Sequence, residues 1–133
     1  MINNFDITAI EDEVRAIVRN LKVSDKVYAN RPKAADSSSD FVVVKVSDIT
    51  DMAAYGECVT EIDLFAKDAS GFKNGKKLSM MYQKLVKSFP ASAGRLIFDT
   101  EPNVLGDTPD DYGFHARLIR INTIVKAIYI WQL

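Results

Sequence analysis

Apolar residues along the chain follow two different periods. Ile7, Ile10, Val14, Ile17, Val18 and Leu21 recur at helical spacing and predict an amphipathic helix over residues 7–22. Thr8 and Glu11 stand at the spacing of a capping box, and Asp12 and Glu13 add negative charge near the positive end of the helix dipole. A fully buried aliphatic side chain is worth about 1.5–3 kcal/mol, so a stripe of this kind is expected to be docked. From Ser24 to Asp40 the pattern dissolves. Asn30-Arg31-Pro32-Lys33 and Asp36-Ser37-Ser38-Ser39-Asp40 favour turns and a mobile loop, with a weak extended signal at Lys26–Ala29.

The period then changes to two. Phe41–Ser47 is β-branched and predicts a strand, with Val42, Val44 and Val46 on one face and Phe41, Val43 and Lys45 on the other. Tyr55–Lys67 predicts a longer strand. Cys58, Ile62, Leu64 and Ala66 point one way and Glu57, Glu61, Asp63 and Lys67 the other, as in a sheet with one covered and one wet face. Helical spacing returns with Leu78, Met81, Tyr82, Leu85, Val86 and Phe89, and Pro90 ends that helix. Arg95–Asp99 and Gly113–Asn122 predict two further strands. The connection Thr100–Tyr112 between them carries two prolines and several acids, and Thr123–Leu133 either extends the last strand or bends into a fifth. The expected architecture is therefore one α+β domain over residues 1–133, in α-β-β-α-β-β order, with a mostly antiparallel sheet and both helices packed on one face.

Composition narrows the function more than the fold. The formal net charge is −1, from 17 basic and 18 acidic residues, which speaks against charge-driven or sequence-specific nucleic-acid binding. One cysteine, Cys58, excludes an internal disulfide and favours a reducing compartment. The start of the sequence has no basic-then-apolar run of a signal peptide, and no apolar stretch approaches the length of a bilayer span, so no membrane association is expected.

Candidate chemistry is sparse. His115 is the sole histidine, and no serine sits in a nucleophile elbow, so a structural or interface role is expected for it. One cysteine and one histidine cannot close a zinc site, and nothing calls for a cofactor. Glu57, Glu61 and Asp63 share one strand face, while Glu101, Asp107, Asp110 and Asp111 crowd one loop. Paired acids can bind a divalent ion or act as acid and base, but Asp107–Asp111 lacks the ligand alternation and central glycine of a calcium loop. These acids are expected to form a solvated face and a polar loop. Gly71 and Gly75 stand one residue too close for a phosphate-binding loop. The run Ile124–Trp131 is apolar on both faces. It is either a strand buried on both sides or a subunit-interface segment, with Ile128, Ile130 and Trp131 as the contact residues.

The order of these parts resembles the tail terminator, or tail-completion and head-tail joining, proteins of long-tailed bacteriophages. The resemblance lies in the opening helix, Lys26-Val27-Tyr28-Ala29 before the Pro32 loop, Phe41-Val42-Val43-Val44, and the strand Val59–Ala66. It continues through a glycine loop leading to Leu78-Ser79-Met80-Met81, and Tyr112-Gly113-Phe114-His115-Ala116-Arg117. It covers most of residues 7–125 as order and texture, without a diagnostic motif, and the apolar run after Val125 is longer than the family leads one to expect. The resemblance implies an architectural role in the virion, with assembly in the host cytoplasm. Subunits would associate into a ring, commonly a hexamer, that caps the tail-tube protein and meets the head connector. On that reading Arg31, Pro32, Lys33, Asp36, Asp107, Asp110 and Asp111 are partner-contact residues, and Glu57, Glu61 and Asp63 line a lumen through which DNA slides. The alternatives are a non-viral interaction module that pairs a partner through its terminal strand, and a small metal-dependent enzyme built on the acidic loop.

Overall fold

A computed structural model describes residues 5–29 and 39–127. Helix α1 spans Ile7–Asn20. Strands β1 (Val27–Ala29), β2 (Phe41–Val46), β3 (Thr50–Asp51) and β4 (Tyr55–Lys67) follow, then helix α2 (Gly75–Ser88). The remainder is β5 (Ser92–Ala93), β6 (Leu96–Phe98), β7 (Asn103–Val104), β8 (Thr108–Pro109) and β9 (Phe114–Lys126). The long elements keep the expected α+β order. Five short strands are added to it, two of them (β7 and β8) inside the segment expected to be a connection.

The strands make one sheet in the order β1-β2-β4-β9-β6-β5, with β3 on β4 and β7 and β8 on β9. Pairing is antiparallel except for β1 on β2, which is parallel. The spine is the β4–β9 ladder, in register from Tyr55↔Lys126 to Lys67↔Phe114. Residues 123–126 thus extend the fourth long strand and do not start a fifth. The connection expected between residues 100 and 112 is held along the free edge of β9. Asn103 and Val104 pair with Arg120 and Ile119, and Thr108 and Pro109 pair with Ala116 and His115.

Both helices cover the same face. Ile10, Val14 and Val18 of α1 and Leu78, Met81 and Leu85 of α2 join Val42, Val44, Ile62, Leu64, Ile119, Ile121 and Val125 in one buried core. The cap of α1 differs from the capping box expected at Thr8 and Glu11. Asp6 is the N-cap, its carboxylate accepting from Thr8 N at 3.0 Å. Glu11 is buried instead and accepts from Val46 N at 3.0 Å, satisfying a backbone donor at the end of β2. Three further polar contacts fix α1 to the sheet's two ends: Arg15 Nε donates to Val27 O at 2.8 Å, and Arg95 forks onto Glu13 at 2.7 and 3.1 Å.

Candidate functional site

Both helices lie on one face; among the described residues no helix covers the other face of the sheet, which divides into three zones. The first contradicts the expected wet face. Phe41, Val43 and Phe114 are buried there with Tyr28 and Phe65 against them. Phe41 stacks on Phe65 at 4.4 Å between ring centroids and meets Phe114 edge-on at 5.3 Å. The register Phe41↔Phe65 and Lys67↔Phe114 brings these rings together from strands far apart in sequence, which a strand-by-strand count of polar residues does not reveal.

The middle zone is a charge cluster. Lys45 Nζ lies 3.2 Å from Asp63 and 3.7 Å from Glu61, and Arg120 Nε donates to Glu61 at 2.9 Å. Asp63 was expected on a wet face but is 2% exposed. Burial, followed by the hydrogen bond and charge of Glu61, pushes its carboxyl up to about 7, against the pull of Lys45. Burial also raises Glu61, but its hydrogen bonds to Asp63 and Arg120, with the charges of Lys45 and Arg120, carry it below the ordinary glutamate value. Among the described residues Asp63 Oδ1 is buried and receives no donor, which favours the protonated, uncharged form of this carboxyl. Glu57, the third candidate acid, is exposed and lies away from this cluster.

The third zone is an open groove of about 650 Å³ at the far end of β4 and β9. Val59, Ile97 and Ile124 supply its apolar floor, and Asp48, Glu57 and Asp99 stand among its polar lining. Ile97 and Ile124 are cross-strand partners, each 38% exposed although both lie in strands. An apolar pair left open on a sheet face toward one end of its strands is the least expected feature of the described surface.

The remaining candidates lie elsewhere. Asp107 was expected to face a partner, but its carboxylate is 8% exposed and gripped by Arg117 through Nε at 2.8 Å and Nη2 at 3.0 Å. Lys73 adds a contact at 3.2 Å, and Arg117 lies over the Tyr82 ring at 5.8 Å. The Arg117 hydrogen bonds, with Lys73, hold the Asp107 carboxyl below the usual aspartate range, and the hydrogen bond to Asp107 in turn raises the Arg117 guanidinium. Asp107 therefore fastens the 100–112 segment to β9 and to the loop before α2. Asp110 likewise turns inward: its Oδ1 accepts from Tyr112 N at 2.8 Å and Phe114 N at 2.9 Å, and its Oδ2 is buried. Asp111 is exposed. His115 Nδ1 lies 2.7 Å from Asp68 Oδ1, joining β9 to the end of β4. Cys58 is buried, and burial pushes its thiol up to about 11, away from a reactive thiolate. Arg31, Pro32, Lys33, Asp36, Ile128, Ile130 and Trp131 lie outside the described residues.

No protein-family model matches the sequence, and no curated protein does. Among the solved structures that match, one is similar over 94% of both chains, with a TM-score of 0.55 and 13% sequence identity. That likeness is one of fold. It assigns no activity to the groove or to the carboxyl pair, whose chemistry must be argued from their own atoms. Among the described residues no three histidine, cysteine or acidic side chains gather to hold a metal ion, and no helix is long and apolar enough to cross a membrane.

Proposed function

We propose that this chain is an architectural protein of a long-tailed bacteriophage, a tail-terminator-like subunit that associates with its own copies into a ring. In this reading the ring caps the tail tube, joins it to the head connector and travels with the virion. The observation that carries the reading is the open face of the sheet, where the Ile97–Ile124 pair is presented in a groove beside charges already matched to each other. The matched residues elsewhere support the same direction. Arg117 with Asp107 and His115 with Asp68 are committed to fastening strands and connections, which suits a rigid building block. The enzyme alternative rested on the acidic loop, and two of its acids, Asp107 and Asp110, are occupied in holding that loop in place.

The test is negative-stain microscopy of the purified chain mixed with polymerised tail tubes of the phage or prophage that encodes it. Ring-shaped density capping one end of the tubes, and halted tube growth, are the expected results. Tubes that stay bare and keep growing would remove the reading. Calorimetric titration with magnesium, manganese and calcium addresses the rival enzyme: micromolar binding would favour it over an architectural role.

A further inference from the structure

We infer that the groove on the helix-free face receives residues 128–133 of a neighbouring copy of this chain, with Tyr129 and Trp131 as anchors. The inference rests on the self-association in the proposed function and names the contact that would make it.

The first argument is direction. At the end of β9, Lys126 N donates to Arg95 O at 2.8 Å and Ala127 N to Ala54 O at 3.4 Å, so the chain is held in line with its strand up to Ala127. Both neighbours turn away at this level. On one side the chain bends through Met52–Ala54, with Ala53 at φ 72°, and on the other the β5–β6 turn passes through Gly94 at φ 56°. A continuation of β9 in line therefore leaves its own sheet. At about 3.3 Å per extended residue, residues 128–133 reach roughly 20 Å, enough to cross the groove of an adjacent molecule.

The second argument is chemical fit. Residues 128–133 read Ile-Tyr-Ile-Trp-Gln-Leu, with no charged side chain. Large apolar bodies that carry donors, the Tyr129 hydroxyl, the Trp131 indole N–H and the Gln132 amide, suit an apolar floor with acids around it. The groove supplies that floor in Val59, Ile97 and Ile124 and those acids in Asp48, Glu57 and Asp99. Its volume lies within the roughly 300–1,000 Å³ range of sites that enclose compact ligands. Tyrosine and tryptophan are also the residues that most often dominate association when buried in such a pocket.

Trp131 is the only tryptophan in the chain, so its fluorescence reports the contact directly. Emission and light-scattering mass are measured together across a dilution series for the full chain, for a chain ending at Ala127, and for Ile97→Lys/Ile124→Glu. The paired variant keeps a cross-strand partnership at exposed positions, and circular dichroism checks that it folds. The full chain is expected to associate with blue-shifted Trp131 emission that moves to the red on dilution to monomer. Truncation is expected to abolish association, and the paired variant to raise the half-association concentration at least about tenfold. A monomer with blue-shifted emission at every dilution would mean that the segment folds onto its own chain, and would overturn the inference. Red-shifted emission at every concentration would overturn it as well. Tube capping by the truncated chain would remove the contact yet leave the terminator reading standing, whereas loss of capping by the full chain removes that reading itself.

Discussion

Asp63 shows how one side chain departs from what its sequence context suggests. Its neighbours Glu61 and Lys67 alternate as polar positions do, but the ladders place it between Val43 and Leu118, where water does not reach. An unfolded aspartate ionises near pH 4, whereas the folded one is pushed up to about 7. Its contribution to stability is therefore complete below about pH 4 and is lost as pH rises toward and through 7, because the unfolded chain releases the proton first. Glu61, shifted downward, acts in the opposite sense and loses its contribution as pH falls through its lowered value. Asp63→Asn should flatten the decline between pH 5 and 8 and stabilise the protein at pH 8 by on the order of 1–3 kcal/mol. Urea unfolding at the two pH values measures this, and an unchanged slope would show that the carboxyl is not the group that titrates. Asp107 is the contrasting case: held low by Arg117, it supports the fold above the ordinary aspartate range and fails it in acid. Asp107→Ala leaves a mostly buried guanidinium without its fork and should cost roughly 1–3 kcal/mol in urea unfolding at neutral pH.

Among the elements, those built on sustained periodicity were legible and those built on long-range pairing were not. The stripes of α1 and α2, and the alternation of β2 and β4, follow directly from residues such as Ile10, Val14, Leu78 and Ile62 that a single segment displays. β7 and β8 are two residues each and exist only because β9 offers an edge, so Asn103, Val104, Thr108 and Pro109 carry no local signal of their own. The same cause hid the second core, since Phe41 and Phe114 become neighbours only through the β2–β4–β9 register. Glu11 was read as a helix cap because its spacing permits one, whereas Asp6 takes the cap and Glu11 is drawn in by the unpaired Val46 N–H. Glu11→Ala should therefore cost about 1–3 kcal/mol, while Glu11→Gln, which keeps an accepting oxygen, should cost less. Gly56 supports a comparable prediction for β4. A Cβ there would lie 2.7 Å from Ile49 Cγ2 and 3.4 Å from the Phe5 ring, so Gly56→Ala should lower stability by roughly 1–3 kcal/mol in thermal unfolding.

For the whole molecule, the arrangement of charge bears on what could pass along the helix-free face. The acids Glu57, Glu61 and Asp63 share that face as their alternation in β4 implied, but their charge cannot be read from β4 alone. Lys45 comes from β2 and Arg120 from β9, and their two positive charges stand against the formal charges of Glu57 and Glu61, so this face is close to neutral when Asp63 holds its proton. A ring lined by it would neither hold DNA by phosphate contacts nor strongly repel it, and the balanced composition of the chain points the same way. The full chain should accordingly bind duplex DNA no more tightly than about 10⁻⁴ M at physiological salt, the weak end of non-specific binding. Glu57→Lys/Glu61→Lys leaves Lys45 and Arg120 facing new positive charge and should create binding that weakens steeply as salt is raised. Fluorescence anisotropy with a labelled duplex measures both. Micromolar binding by the unaltered chain would contradict the matched-charge account, because it would require basic side chains free to release counterions from the phosphates.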